Sequence, residues 1–342
     1  MGLFSFFLKK NEDPEKEVGS ELFNEQYAEL KELATQILKY EYYSPSRAYR
    51  IYDMFVPLAV RFLEIANQID RKKALRTFTK EAKNHNPNDR YPYHPVFKSI
   101  AWGKPDDWDK AIEDIKNLYD RFTYWHTEID KFNAKYVDVP VVDIELSDIG
   151  LKRNKMIDIP EIKYTSIGKS FNKDRLLKFV VIDTETTGLK ASSERIVQLS
   201  AVKYVDWEPV EAWSTYINPK RPIPAEASAV NKITDEMLID KPTIKQVAES
   251  FTQFVKDYDV VGYNLPFDFK FLFAEGIDLT VQKRRYYDVY SLAKKAYMDE
   301  LDSFSLEDVT KYLRIYYNAH NSLSDCYATA EVFGNVIKCI TF

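Results

Sequence analysis

Cysteine is almost missing from this 342-residue chain: Cys326 and Cys339 are the only two. They form no CxxC pair and no zinc-type spacing, so a disulfide scaffold and a thiolate metal site are excluded, and the usage fits a reducing compartment. Glycine is scarce as well, at 9 residues, which leaves little material for flexible linkers. No window approaches 18 consecutive apolar residues, so a membrane-spanning helix is not expected. The opening run Met1–Lys10 is too short and wrongly charged for a secretory core, and Phe6 breaks the myristoylation pattern. The expectation is a soluble cytoplasmic protein, its first ten residues at most a weak surface or partner anchor. Positive excess is also lacking. Lys+Arg total 48 against 53 Asp+Glu, a formal net charge of -5. Residues 1–170 hold 27 against 28 of these, leaving 21 against 25 after that point. Neither part is a cationic glove, so any polyanion must be gripped locally.

What is abundant is apolar and aromatic: 45% hydrophobic residues, 15% aromatics and 24 tyrosines, enough for two cores. From Glu21 to about Lys135 the periodicity is helical. Leu22, Phe23, Tyr27, Leu30, Leu33, Ile37 and Leu38 form an amphipathic stripe. Ser44-Pro45 reads as an N-cap and first-turn proline opening a helix through Ile69, with Pro57 as a possible kink. Asp106-Asp107 suit the start of a third helix through Trp125, and residues 84–95 form a turn-rich loop between the two. Tyr42, Tyr43, Tyr49, Tyr52, Tyr91, Tyr93, Phe97 and Trp102 could stack on bases, but core packing is the commoner use of aromatics at helical spacing. Residues 136–175 read as a structured linker with short β-like pieces. After Lys178 come strands at 179–182, 195–205, 210–217 and 259–263, with helices near 243–256, 266–275, 288–298, 306–313 and 322–337. Strands followed by alternation with helices imply an α/β layer structure with a mixed sheet. The division is thus a helical accessory domain at 1–135, the linker at 136–175, and an α/β domain at 176–342.

The chemistry sits in the second half. Asp183 and Glu185 lie two apart at the end of a β-branched strand, so both carboxylates project from one face. Two acids forced together repel unless a cation joins them, which suits hard divalent ions. Alone the pair is weak evidence, since Asp143-Ile-Glu145 has the same form in the linker, where a solvated edge strand explains it. Further on, Asn264 can cap a helix opened by Pro266, placing Asp268 in its first turn. His320 then precedes a helix whose first turn carries Asp325. Ser322 to Asp325 has capping-box-like spacing, so a purely structural Asp325 stays open. Lys283-Arg284-Arg285 beside Tyr286-Tyr287 is the one basic-aromatic spot of this half, read as a solvated turn or as a strand guide.

Asp183-Thr-Glu185-Thr-Thr-Gly188, Gly262-Tyr-Asn264-x-x-Phe267-Asp268 and His320-x4-Asp325 occur in that order. They resemble the three exonuclease motifs of the DEDDh (DnaQ-like) family, over residues 177–340. Ile217–Pro224, Ile233–Leu238 and Asp288–Ala293 are similar to the proofreading exonucleases of bacterial replicative DNA polymerases. Family members often carry histidine where Tyr263 stands, a His-Gly-Ile-Thr where this chain has Asn231-Lys-Ile-Thr234, and arginine at Asn321.

The resemblance implies a ribonuclease-H-like fold, a five-stranded mixed sheet flanked by helices. It implies 3′–5′ exonuclease activity on single-stranded or frayed DNA ends. Two Mg²⁺ or Mn²⁺ ions would be held by Asp183, Glu185, Asp268 and Asp325, with His320 as general base. Substrate contacts would fall on the backbone around Thr186 and Thr187, on Leu189 and on Asn264. Without a basic surface, grip should come from the held terminal phosphates and stacking of one or two bases, about 1–3 kcal/mol each. RNA ends remain an alternative substrate, and a vestigial nuclease serving as a partner-binding module an alternative role. The helical first half could dock a protein partner, and no membrane partner is expected.

Overall fold

The computed structural model describes residues 14–40, 42–70, 73, 106–154, 161–173 and 176–341. The chain divides into two compact units, Met1–Thr127 and Glu128–Phe342. The first ten residues, the loop 84–95 with His85 and His94, and Tyr91, Tyr93, Phe97 and Trp102 lie outside the described residues.

The first unit is helical: α1 (Pro14–Ile37), α2 (Pro45–Arg50), α3 (Tyr52–Gln68) and most of α4 (Asp106–Ala134). The stripe on α1 begins at Phe23, with Tyr27, Leu30, Leu33, Ala34 and Ile37 buried, whereas Leu22 faces solvent. One residue is a 100° turn around a helix, enough to move a side chain off the buried stripe. The helix expected from Pro45 to Ile69 breaks at Ile51, whose ψ of 6° leaves the helical region. Pro57 does not end α3, because in its second turn it deprives only the Asp53 carbonyl of a donor. Phe55 stacks on Phe122 at 4.1 Å between ring centres, and His126 stacks on Tyr49 and Tyr52. Tyr43 and Tyr52 pack against this core and Tyr42 is exposed.

In the second unit five strands form one sheet in the order β3-β2-β1-β4-β5: β1 (Lys178–Thr186), β2 (Ile196–Val205), β3 (Glu208–Tyr216), β4 (Asp259–Gly262) and β5 (Tyr286–Asp288). β2 runs antiparallel to β1 and β3, while β4 and β5 run parallel to β1. Helices α5 (Ala225–Asn231), α6 (Asp235–Leu238), α7 (Ile244–Phe254), α8 (Leu265–Ala274), α9 (Val289–Tyr297), α10 (Leu306–Tyr312) and α11 (Ser322–Thr341) complete it. This is the five-stranded mixed sheet flanked by helices that the family resemblance implied. Strand alternation sorts two cores. Phe179 and Val181 face a layer with Val332 and Phe333 of α11, and Val180 and Ile182 face one with Phe251 of α7 and Leu272 of α8.

Residues 136–154 and 161–173 lie along this unit. Val142 N–H donates to the Ala212 carbonyl on β3 at 2.9 Å, and Thr165 N–H donates to the Tyr286 carbonyl on β5 at 2.7 Å. Between those edges, Ser147 and Asn154 bond α7 and the end of α8. Arg153 pairs with the buried Glu275. Gly276 has φ +91°, and a β-carbon there would sit 2.6 Å from the Lys152 carbonyl, so no other residue fits unstrained. Asp143 and Glu145 are exposed beside the lone Val141–Ala212 bridge.

Candidate active site

Asp183 and Glu185 lie on the face of β1 that looks toward α11, as their two-residue spacing requires. α11 brings Asp325 to that face, and oxygen atoms of Asp183, Glu185 and Asp325 all lie within 4.8 Å of one another. Asp268 arrives from α8, on the opposite face of the sheet. Thr184, the intervening residue of β1, donates its hydroxyl to Asp268 Oδ1 at 2.7 Å. Helices on both faces therefore send an acid to the C-terminal end of the central strand.

Electrostatics reflects this crowding. Burial first, then the charges of Asp325, Asp268 and Glu185, push the Asp183 carboxyl well above its usual range. Burial and Asp268 push Glu185 up to about 7, partly countered by a hydrogen bond from Asn231. Burial also pushes Asp268 up to about 7, despite the Thr184 hydroxyl that favours its charged form. Asp325 is raised by burial and by Glu185, while the Tyr317 hydroxyl and the backbone of His320 and Asn321 pull the other way. Asp325 Oδ2 is buried without any hydrogen-bond partner. Oxygen-only donors, mutual repulsion and an orphaned carboxylate oxygen together fit a hard divalent cation.

His320 stands in the loop ahead of α11 with φ +63°, and its backbone reaches the Asp325 carboxylate. Leu189 follows the Gly188 turn and is 86% exposed. Thr186 donates its hydroxyl to the Gly188 carbonyl at 2.7 Å. Thr187 holds the turn: its N–H donates to the Arg195 carbonyl at 2.8 Å and its hydroxyl to Glu194 at 2.6 Å. Neither group of Thr187 is open to a ligand. Asn264 adopts φ +58° and its side chain does not cap α8. That task falls to Asp288, which accepts from the Leu265 N–H at 3.1 Å. Pro266 is the second residue of α8, one place later than its spacing suggested. The basic-aromatic spot dissolves: Tyr286 and Tyr287 are buried in β5, Arg284 bonds the Val255 and Tyr258 carbonyls, and Arg285 pairs with Asp259.

Supporting residues went unread in the sequence. Gln198 on β2 accepts from the Ser322 N–H at 3.1 Å. Ser200 joins Ser322 at 2.6 Å and Ser214 at 2.7 Å. This polar thread ties the first turn of α11 to the sheet beside Glu185, whose register partner is Gln198. Its signal was present, since two polar residues at i and i+2 interrupt the apolar run from Ile196 to Val202. Asn231 donates to the Thr186 carbonyl at 3.3 Å and bonds Glu185, filling a place where the resemblance led one to expect histidine.

A mixed five-stranded sheet flanked by helices, with acids converging at the end of its central strand, has the ribonuclease-H-like fold. Residues 180–333 match the family model described as "Exonuclease". A DNA polymerase III PolC-type protein of Thermotoga petrophila is 34% identical over 180 residues, which are 51% of this chain and 13% of that protein. A DNA polymerase III subunit epsilon of Treponema pallidum is 42% identical over 97 residues, 28% of this chain and 45% of that protein. The chain thus spans less than half the length of these relatives. Among solved structures, exonuclease X in complex with 5′ overhanging duplex DNA superposes with a TM-score of 0.39 and 24% identity, over 48% of this chain and 93% of that one. Among the described residues, no helix is long and apolar enough to cross a membrane.

Proposed function

We propose that the second unit is a 3′–5′ exonuclease of the DEDDh type that releases nucleoside 5′-monophosphates from single-stranded or frayed DNA ends. The observation that carries this reading is the convergence of Asp183, Glu185 and Asp325 on one point, with Asp268 joined to the same strand through Thr184. These four carboxylates would hold two Mg²⁺ or Mn²⁺ ions. When bound, the ions supply Lewis acidity for phosphodiester hydrolysis.

The chain's own residues do the rest. His320 accepts the proton of the attacking water on an imidazole nitrogen, a step worth about 10²–10⁴ in rate. Its place beside Asp325 keeps that base next to the acids. Leu189, exposed on the turn after β1, packs against the terminal base. Thr187 holds this turn in shape, and the polar thread from Gln198 fixes the approach of α11. The first unit is proposed to serve as an accessory domain that docks a protein partner.

The test uses DNA and RNA oligonucleotides labelled at the 5′ end, with Mg²⁺ or Mn²⁺ present. The reading requires stepwise shortening of the DNA from its 3′ end, abolished by Asp183→Ala and His320→Ala with the circular dichroism spectrum preserved. A ladder that grows from the 5′ end, faster RNA decay, or no cleavage would overturn it.

A further inference from the structure

The C-terminal ends of the parallel strands β1, β4 and β5 line one edge of the sheet, and the acids occupy only the β1 position along it. Beyond β4, past Asn264, the same edge opens into a cavity of about 690 Å³. One wall is Tyr263 and one face of α9, with Tyr290 and Lys294. The other is the turn 302–306. Tyr290 and Lys294 are four residues apart on α9, hence on one face of it.

The cavity is built before anything enters it. The Tyr263 hydroxyl donates to the Phe304 carbonyl at 2.8 Å. Ser303 and Ser305 both donate to Asp308, and Ser305 accepts the Asp308 N–H as the cap of α10. The Tyr290 ring meets Tyr263 edge-on at 83°, with 6.2 Å between ring centres. Tyr290 is partly exposed, and Lys294 has no carboxylate partner among the described residues. Asp302 is the acid of this lining.

We infer that this cavity is the subsite for the penultimate nucleoside of the strand, its base stacked on Tyr290 and its 5′-phosphate held by Lys294. The inference rests on the exonuclease reading and adds to it the residues that grip the strand upstream of the cleaved bond. Volume, aromatic wall and cation suit one nucleoside with one phosphate. Stacking tolerates any base, because every base has a π-face. The subsite also explains how a chain without a basic surface can retain a strand. Tyr263, standing where relatives often carry histidine, supplies the ring that props Tyr290.

The test compares three substrates with Mn²⁺ on the full chain: the p-nitrophenyl ester of thymidine 5′-monophosphate, the dinucleotide TpT, and 5′-phosphorylated pTpT. The ester has no penultimate nucleoside. Wild type should show kcat/KM rising from TpT to pTpT, carried by KM. Tyr290→Ala and Lys294→Gln should lower the ratio of kcat/KM for pTpT over that for the ester about tenfold. In addition, Lys294→Gln should erase the benefit of the 5′-phosphate. An unchanged ratio overturns the subsite. A second readout needs no turnover: with EDTA present, an oligonucleotide carrying 5-iododeoxyuridine one place from its 3′ end is irradiated and the crosslinked peptide mapped. Attachment at Tyr290 or Tyr263 supports the subsite, and attachment elsewhere overturns it. Crosslinking at Tyr290 with no hydrolysis of any substrate would sink the exonuclease reading and leave the binding site standing.

Discussion

At the scale of single residues, the acids at the end of β1 work against folding until a cation arrives. Glu185 and Asp268 titrate near 7 in the folded protein and near ordinary carboxylate values when unfolded. The folded state therefore holds more protons between about pH 4 and pH 7, so stability falls as pH rises through that window and stays reduced above it. Melting curves in EDTA should show this decline. Added Mn²⁺ should raise Tm more at pH 8 than at pH 5, and equal gains at both would argue against a carboxylate-held ion. Asp183→Asn removes one of the repelling charges. It should raise the EDTA melting temperature by roughly 2–4 °C for each kcal/mol of repulsion relieved, while lowering kcat by about 10³-fold or more. The meeting of Asp183, Glu185 and Asp325 was legible in the sequence because an acid pair two apart on a strand shares one face and an acid in a helix's first turn lies at a fixed place, whereas His320 was named through the family resemblance. The role of Asn231 was not, since only the folded chain brings that residue to Glu185.

Elements set how precisely those residues meet. α11 carries Asp325 and follows His320, and its first turn is moored by Gln198 and Ser200 on β2. Gln198→Leu leaves the Ser322 N–H buried without an acceptor, at a cost of about 1–3 kcal/mol. Urea titration should register that loss, and kcat should fall while KM changes little. Helix and strand positions of the second unit were readable because their apolar periodicity is strong. The finer joints were not. Asn264, chosen by composition as a cap, sits in a left-handed conformation, and the carboxylate of Asp288 does that work across 23 residues of sequence. Ile51 interrupts a helix that its apolar pattern would continue, because hydrophobic spacing does not report backbone dihedrals.

At the scale of the molecule, the boundary of the second unit lies well before its first strand. Residues 136–154 and 161–173, a belt along this unit, bond α7, the end of α8 and both outer strands. A fragment beginning at Glu128 should fold with a single cooperative transition, whereas one beginning at residue 176 should melt at lower temperature and be cut faster by protease. Similar melting of the two fragments would show the belt to be dispensable. Gly276→Ala should loosen it locally, at about 1–3 kcal/mol for the strained backbone alone, measurable as faster amide exchange around Lys152. The sequence suggested a connector here because its β-like pieces are short. Partners as far off in sequence as Ala212 is from Val142, or Tyr286 from Thr165, cannot be seen in local pattern. The belt has another consequence. Bare outer strands are ready templates on which a second polypeptide can lay down a new ladder. By engaging the main chain of β3 at Val142 and that of β5 at Thr165, the belt occupies both rims and guards the sheet against edgewise self-association, even though its core strands are rich in valine and isoleucine.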